Sequence, residues 1–406
     1  MREALSGVTG NSRVCVFMEP FFAIPYTMYA GYMTLYMLEL GMTKQQVGLV
    51  TSLGLAVHIL FSMLSTFVTD KLGRKTTTLI FDVTGWGLAQ LVWAVALDIR
   101  YFVVGAVLNA SFRIVANSWQ CLLLEDSKPD ARVHIFNFMH LSGVVAGFFA
   151  PVGALYISRA GLVPAMRVLI FISAAVMTTL FIFRNFIITE TSVGKIKKQE
   201  MKGVRMRDVF KSYLPAFKRI MSNRLLIFAL FLRALNFIQI TIRSTFLAVL
   251  VTEGLNFPPE VMAVFHIAGS VVMLLTMLTV APVLTRVTRQ WPVAIAIGFH
   301  IAAVVILLIT PDKNYPLLIL SAVFIALGTS VSTPRIEAMV ANCIVNEERS
   351  LANAIVEIVI LGLTTPFGYI GGVLAAVDAR LPFLLTLAIL LACLVLLRAA
   401  GRYGRA

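Results

Sequence analysis

The sequence has few charges for its length. Of its 406 residues only 13% are charged, whereas 59% are hydrophobic, and the mean hydropathy is +0.88. A soluble globular protein has about a quarter of its residues charged and about half apolar. A chain of this size could not hide so much apolar surface in one core surrounded by water. The composition therefore indicates that a lipid bilayer surrounds most of the chain.

Cysteine is also scarce, and the common catalytic motifs are missing. The four cysteines, Cys15, Cys121, Cys343 and Cys393, have neither the spacing of metal ligands nor the pattern of a disulfide framework. We find no P-loop, dinucleotide fingerprint, His/Glu metal motif or nucleophile elbow. No loop is long enough for a soluble catalytic domain. These absences argue against an enzyme and against ATP-driven pumping, and we expect no cofactor and no metal.

Long apolar runs are what the sequence does contain. A spanning helix needs about 20 mostly apolar residues, and twelve segments qualify. These segments, named spans 1 to 12, lie at 14–38, 46–69, 77–98, 101–125, 133–158, 164–188, 225–252, 260–284, 292–310, 316–344, 350–376 and 381–399. The sequence predicts an all-α polytopic membrane protein with twelve transmembrane helices. We expect a six-helix half at 1–188, a basic linker at 189–224 and a second half at 225–406.

The distribution of basic residues predicts the orientation. With the N-terminus inside, the cytoplasmic side holds about 24 of the 34 Lys and Arg residues, the outer side about six, and four lie within spans. This bias places both termini in the cytoplasm, and we expect the plasma (inner) membrane. The net charge of +14 sits mainly in loops on one side, which argues against nucleic acid as a partner. We interpret the linker as an anchor on anionic lipid, with an amphipathic surface helix over Met206 to Ile220.

The two halves of the sequence resemble each other at an offset of about 213 to 222 residues. Arg113 lies twelve residues before Glu125-Asp126, and Arg335 lies twelve residues before Glu347-Glu348. Three further matches follow in the same order along the spans. Related halves of this kind place a substrate site at their interface near the bilayer midplane. The fold predicted is thus two pseudo-symmetric six-helix bundles.

The loop between spans 2 and 3 carries a recognisable motif, Asp70-Lys71-Leu72-Gly73-Arg74-Lys75. It resembles the signature of the major facilitator superfamily (MFS), a Gly followed after three residues by Asp-Arg/Lys-x-Gly-Arg-Arg/Lys, with Thr66 in place of the leading Gly. Arg113 resembles the arginine of the family's span 4 motif. The resemblance implies a secondary transporter that moves a small solute by alternating access, with spans 1, 4, 7 and 10 lining a central cavity.

The chemistry of this loop can be stated residue by residue. Gly73 permits a tight turn between antiparallel helices. Asp70 can accept hydrogen bonds from a helix N-terminus, and Arg74 can pair with Glu125 or Asp126 at the end of span 4. The resemblance implies a gate that locks the two halves on the cytoplasmic side and releases them when the protein opens inward. The alternative is a set of solvated charges, worth about 0–1 kcal/mol per pair.

Charges inside the spans point to a cavity. An arginine at the centre of a membrane helix costs about 2.5–3.5 kcal/mol on insertion scales. Arg113 and Arg335 lie about 18 Å from the inner ends of their helices, close to the midplane. Spans 1 and 7 each carry a polar stripe on one face. The candidate cavity residues are Arg113, Arg335, Arg243, Arg233, Asn236, Gln239, Tyr26 and Tyr29. The alternative for the arginines is a set of static ion pairs that fix helix packing.

Three intramembrane acids are candidate proton carriers, namely Glu19, Glu357 and Glu337. Each could instead form a static ion pair. We interpret Asp82 as structural. We interpret His58, His266 and His300 as packing or lipid-interface residues, because each stands alone on an apolar helix.

The nature of the solute is only partly indicated. The intramembrane arginines outnumber the clear intramembrane glutamates, which favours an anionic or polyhydroxylated solute over a lipophilic cation. The tyrosines of span 1 and the many Phe and Met residues would equally suit a hydrophobic drug. The energy source is then an ion gradient, for which we expect protons, or the gradient of the solute itself. A non-transporting sensor or scaffold on the same fold is the alternative, because a fold does not fix a function.

Overall fold

The computed structural model describes residues 8–125, 127, 129–279, 291–343 and 349–403. The chain is 88% helical, and this described part contains no strand. Within it, ten helical segments are long and apolar enough to cross a membrane. The prediction of an all-helical membrane protein is confirmed, and the count of twelve spans agrees approximately.

The helices follow the predicted spans closely. Spans 1 to 6 comprise Gly10–Ala30 with Met33–Glu39, Lys44–Leu72, Arg74–Asp82 with Val83–Leu88 and Ala89–Ala94, Ile99–Ala110 with Phe112–Leu124, Pro129–Gly147 with Ala150–Ala160, and Leu162–Ile187. The linker forms Ser192–Glu200 and Met206–Ile220. Spans 7 to 12 comprise Arg224–Val249 with Leu250–Gly254, Pro259–Val261 with Met262–Thr279, Trp291–Ile309, Tyr315–Asn342, Arg349–Val377 and Leu381–Tyr403.

Spans 1 and 3 fall short of the length and composition of a simple membrane helix. Span 1 carries Arg13 and Glu19 and is interrupted after Ala30. Span 3 contains the π-helical segment Val83–Leu88 between two short α-helices. A π-helix bonds each residue five positions along rather than four, which interrupts the regular α-helix. Both spans pack inside the bundle, span 1 mainly against spans 5 and 6 and span 3 mainly against spans 4 and 6.

Proline explains one further break. Span 5 stops at Gly147 and resumes at Ala150, with Pro151 in the first turn of the new helix. Proline is well tolerated there because the first turn needs no backbone N–H donor. Pro25, Pro334 and Pro366 lie inside continuous helices, as expected for prolines in membrane spans.

Span 2 packs along span 11 through an unusually close approach. A Cβ atom added to Gly48 would lie 2.5 Å from the carbonyl oxygen of Gly368, and one added to Gly372 would lie 2.6 Å from that of Lys44. Small residues let membrane helices touch backbone to backbone in this way. Ser52 strengthens the contact, since its Oγ donates to the carbonyl of Thr365.

The outer surface of the bundle is apolar. Phe186 and Val377 are 79% and 77% exposed, and many other large hydrophobic side chains face outward. Such a surface is suited to lipid rather than water. The linker helix Met206–Ile220 lies against the bundle, where the Tyr213 hydroxyl donates to the carbonyl of Met63 over 3.1 Å.

Candidate functional site

A single carboxylate, Glu357, joins two arginines from different spans. Its Oε2 lies 3.5 Å from Nη1 of Arg113, and its Oε1 accepts a hydrogen bond from Nη2 of Arg233. Arg113 begins the second helix of span 4, Arg233 lies in span 7 and Glu357 lies in span 11. These three residues, the Glu357 junction, therefore connect the first six spans with the last six.

The Glu357 junction carries one more positive than negative charge. The side chains of Arg113, Arg233 and Glu357 are 18%, 25% and 28% exposed, so none of the three is fully buried. Nε of Arg113 has no hydrogen-bond partner within the described part of the chain. A guanidinium offers five N–H donors, and one shared carboxylate cannot satisfy two guanidiniums.

The two span 10 candidates, Arg335 and Glu337, lie in different environments. Arg335 is half-buried and follows Pro334 within the helix Tyr315–Asn342, whereas Glu337 is exposed. Glu337 lies within electrostatic range of Arg233 and Glu357. Arg113 forms its ion pair with Glu357, for which the sequence leaves open a proton carrier or a static ion pair.

Span 7 carries a second polar cluster around Arg243. Its Nη1 lies 3.3 Å from Oε1 of Gln239 and 3.3 Å from Nδ1 of His300, and Gln239 donates to Asn236 over 3.2 Å. Nε2 of His300 lies 3.5 Å from Oγ of Ser332. No carboxylate of the described residues forms an ion pair with Arg243. His300 is 1% exposed, so it faces neither lipid nor water but supports this cation.

Tyr26 and Tyr29 belong to an aromatic cluster rather than to a polar site. The Tyr26 ring meets Tyr29 and Trp86 edge to face, with centroids 5.7 and 5.6 Å apart. Trp86 comes from the π-helical segment of span 3 and also contacts Phe22 and Phe112. Tyr29 is buried, and its hydroxyl has no hydrogen-bond partner among the residues described.

Glu19 lies apart from the Glu357 junction, in a cavity among spans 1, 3, 4 and 6. The same cavity is lined by Asp82 and Arg184, which form a buried ion pair. This pair agrees with the structural role expected for Asp82.

The loop motif forms a compact cluster around Arg74, which is only 4% exposed. Its guanidinium contacts Asp70 over 2.8 Å and Glu125 over 2.9 Å. Burial opposes the charge of Arg74, but its hydrogen bonds to Glu125 and the charge of that carboxylate more than offset this, so its pKa lies above the ordinary value. Gly73 turns the chain at φ +88°. Asp126 lies outside the described residues.

Glu190 completes the Arg74 cluster, and sequence reasoning missed it. Its carboxylate accepts the backbone N–H groups of Arg74 and Lys75 over 2.9 and 3.1 Å, at the N-terminus of span 3. The next residue, Thr191, donates to Glu125. The helix N-terminus is thus capped by Glu190, while Asp70 binds the Arg74 side chain instead. One feature of the sequence could have indicated this role, because Glu190 is an acidic residue at the start of an otherwise basic linker.

At the opposite end of the bundle, an ion pair connects span 2 of the first half with span 7 of the second half. Nζ of Lys44 lies 2.5 Å from a carboxylate oxygen of Glu253, next to the glycine contact of spans 2 and 11. The Arg74 cluster, by contrast, takes all of its described partners from residues 70–191. We call these two ends the Lys44 end and the Arg74 end.

Comparison with solved structures shows the same fold in transporters of several kinds. The chain matches the nucleoside transporter NupG with a TM-score of 0.70 and 15% identity, over 98% of this chain and 100% of that one. It matches a POT family transporter in complex with a thioalcohol conjugated peptide with a TM-score of 0.71 and 11% identity, over 99% of both chains. It matches the human organic anion transporter MFSD10 with a TM-score of 0.60 and 16% identity, over 97% of both chains.

At the sequence level, a comparison with curated proteins finds no match. The Major Facilitator Superfamily model, however, matches residues 17–313 and 234–403, which together cover almost the whole chain. This match agrees with the loop motif, with the helical membrane fold and with the structural neighbours. The chain is therefore an integral membrane protein that belongs to the Major Facilitator Superfamily.

Proposed function

We propose that this protein is a proton-coupled secondary transporter of a small solute, with Glu357 as the proton carrier. The observation that carries the proposal is the sharing of Glu357 between Arg113 of span 4 and Arg233 of span 7. Protonation of Glu357 would leave two guanidiniums without a counter-charge across the two halves. The two guanidiniums would then repel each other or bind an anionic solute. Either event would change the packing of the two halves against each other at this junction.

The geometry favours an anionic or polyhydroxylated solute. The junction has an excess positive charge, and Arg243 is a second cation held by neutral groups. Arginine suits carboxylates and phosphates because it stays charged and binds them with two parallel hydrogen bonds. The structural neighbours transport nucleosides, peptides or organic anions by name. These classes, with a hydrophobic drug as the contrasting case, form the natural test panel.

Alternating access is supported by the unequal ends of the bundle. At the Lys44 end, spans 2, 7 and 11 close on each other. At the Arg74 end, the cluster holds spans 2, 3 and 4 together with the start of the linker. We propose that the Lys44 end faces outward and is shut here, that both termini are cytoplasmic, and that the halves are residues 1–188 and 225–406.

Flux in proteoliposomes tests the proposal. Purified protein is reconstituted with a pH-sensitive dye inside, and each solute of the panel is added with and without a proton gradient. We expect at least one solute to move protons. Glu357→Gln should abolish proton movement but keep solute exchange between the two sides. If no solute is moved, the fold serves as a sensor or scaffold; if Glu357→Gln moves protons normally, the carrier is another group.

The Arg74 cluster is proposed as the cytoplasmic gate. Because its charges are buried and connected, Asp70→Asn or Arg74→Ala should reduce transport several-fold while expression stays near normal. Uptake assays and quantification in membranes measure both effects. Normal uptake in both variants would reduce the cluster to a topological anchor.

A further inference from the structure

A cavity of about 160 Å³ lies inside the first six spans and takes no part in the proposed transport of an anion. Spans 1, 3, 4 and 6 line it, and none of the three residues of the Glu357 junction is among its lining residues. Five of its thirteen lining residues are aromatic, namely Phe22, Trp86, Phe112, Trp119 and Phe181. The cavity is partly open rather than a sealed void, so a small ligand can enter it.

The charges in the cavity leave one group uncompensated. Asp82 and Arg184 form an ion pair and are 5% and 7% exposed, so they neutralise each other. Glu19 also lines the cavity, but it makes no hydrogen bond or ion pair with any residue in the described part of the chain. Its only described electrostatic interactions are longer-range ones with Arg184 and Asp82. When Glu19 is ionised, the cavity therefore carries one net negative charge.

The wall chemistry selects the kind of ligand. Aromatic faces attract cations, and the effect grows when the cation is desolvated. A calcium ion would need six to eight oxygen ligands and a magnesium ion a near-octahedral set, which ring carbons cannot supply. An organic ammonium ion needs only a counter-charge and a polarisable surface. Anions are disfavoured, because they would meet the Glu19 carboxylate without a free cation beside it.

We propose that this cavity binds a small organic ammonium ion, with Glu19 as its counter-charge and the rings of Trp86 and Phe112 as its walls. Phe112 directly precedes Arg113, which belongs to the Glu357 junction. The Arg113 guanidinium lies 5.2 Å from the centre of the Phe112 ring. The protein thus has two oppositely charged sites that share one aromatic residue as a partition.

Choline is a suitable probe, and its uncharged carbon isostere is the matched control. Two of the four tryptophans, Trp86 and Trp119, line the cavity, so intrinsic fluorescence of the full-length protein in lipid nanodiscs reports binding. We expect a saturable change with choline and none with the isostere. Glu19→Gln should weaken choline binding about tenfold or more, because the counter-charge is lost.

Two further variants keep the test decisive. Ala116 lines the cavity without carrying charge, so Ala116→Phe should block choline while the melting temperature stays unchanged. Glu200→Gln removes an exposed carboxylate of the linker that does not line the cavity, so this variant should bind choline as the parent protein does. Equal responses to choline and its isostere, or normal choline binding by both Glu19→Gln and Ala116→Phe, would overturn the proposal. Because binding is measured without flux, this result stands apart from the test of transport.

Discussion

Glu190 holds the N-terminus of span 3 through two backbone N–H groups, at a point where the helix dipole favours negative charge. Glu190→Gln removes the charge and keeps the shape. We expect a loss of about 1 kcal/mol in stability, since a hydrogen bond to a charged group is replaced by a neutral one. Transport should fall with it, as the Arg74 cluster loosens.

Glu200→Gln is the matched control in the same linker. Glu200 pairs with Lys197 over 2.7 Å, but the two side chains are 55% and 45% exposed. Exposed pairs contribute little. Thermal unfolding in detergent should therefore separate the two variants; equal melting temperatures would show that the Glu190 cap carries no stability.

Arg113 and Arg335 are predicted to bind the solute. Replacement of either by Gln should abolish binding of the solute found in the flux panel, without unfolding the protein. Arg113→Lys should only weaken it, because the charge remains but the paired hydrogen bonds are lost. Arg159→Gln, at an exposed position near the end of span 5, is the control. Equilibrium binding by a radioligand measures the difference, and normal binding by Arg335→Gln would remove span 10 from the site.

At this scale the sequence could predict some contacts and not others. The pairing of Arg74 with Glu125 can be predicted from topology, because the ends of spans 2 and 4 and the start of span 3 lie on the same side of the membrane. The pairing of Glu357 with Arg113 does not, because it depends on how span 11 is rotated against spans 4 and 7. The sequence predicts His300 as a packing or lipid-interface residue, because it does not show that the Arg243 side chain reaches this histidine.

At the scale of elements, the contact between spans 2 and 11 depends on a missing side chain. Gly372→Ala would place a methyl group 2.6 Å from the Lys44 carbonyl oxygen and 3.1 Å from Cα of Gly48, both of them backbone atoms that cannot easily move. We expect a loss of about 1–3 kcal/mol, the usual cost of overpacking. The Lys44 end should also open more readily.

Gly362→Ala tests the same substitution in the same helix. An added Cβ at Gly362 meets nothing within 4 Å. Alanine favours helix over glycine by up to about 1 kcal/mol, so this variant should be as stable as the parent protein or more so. A similar fall in melting temperature for both variants would mean that the close approach at Gly372 is not what matters.

The ranges of the spans followed from hydropathy, but their internal breaks did not. Length and apolarity predict where a helix crosses the membrane, but not the π-helical segment of span 3, whose Trp86 packs against Phe22 of span 1 and Phe112 of span 4. A sequence read one span at a time cannot show that packing.

For the whole molecule, orientation is the first property to test. Reporters fused after Lys198 and at the C-terminus should both read cytoplasmic, because basic residues concentrate on that side. A reporter fused near Lys313, in a predicted outer loop, is the matched control and should read the opposite side. An external signal from either of the first two fusions would contradict the twelve-span topology.

The ion pair between Asp82 and Arg184 also has a bearing on how the protein is made. The two residues are 102 positions apart, so the ribosome needs about 5–20 s after Asp82 to add its partner. An unpaired aspartate at a helix centre costs about 2.5–3.5 kcal/mol on insertion scales. We therefore expect span 3 alone to insert less readily than span 3 made together with spans 4 to 6. Asp82→Asn should improve insertion of the isolated span in a translocation assay, and an unchanged insertion efficiency would contradict this link between spans 3 and 6.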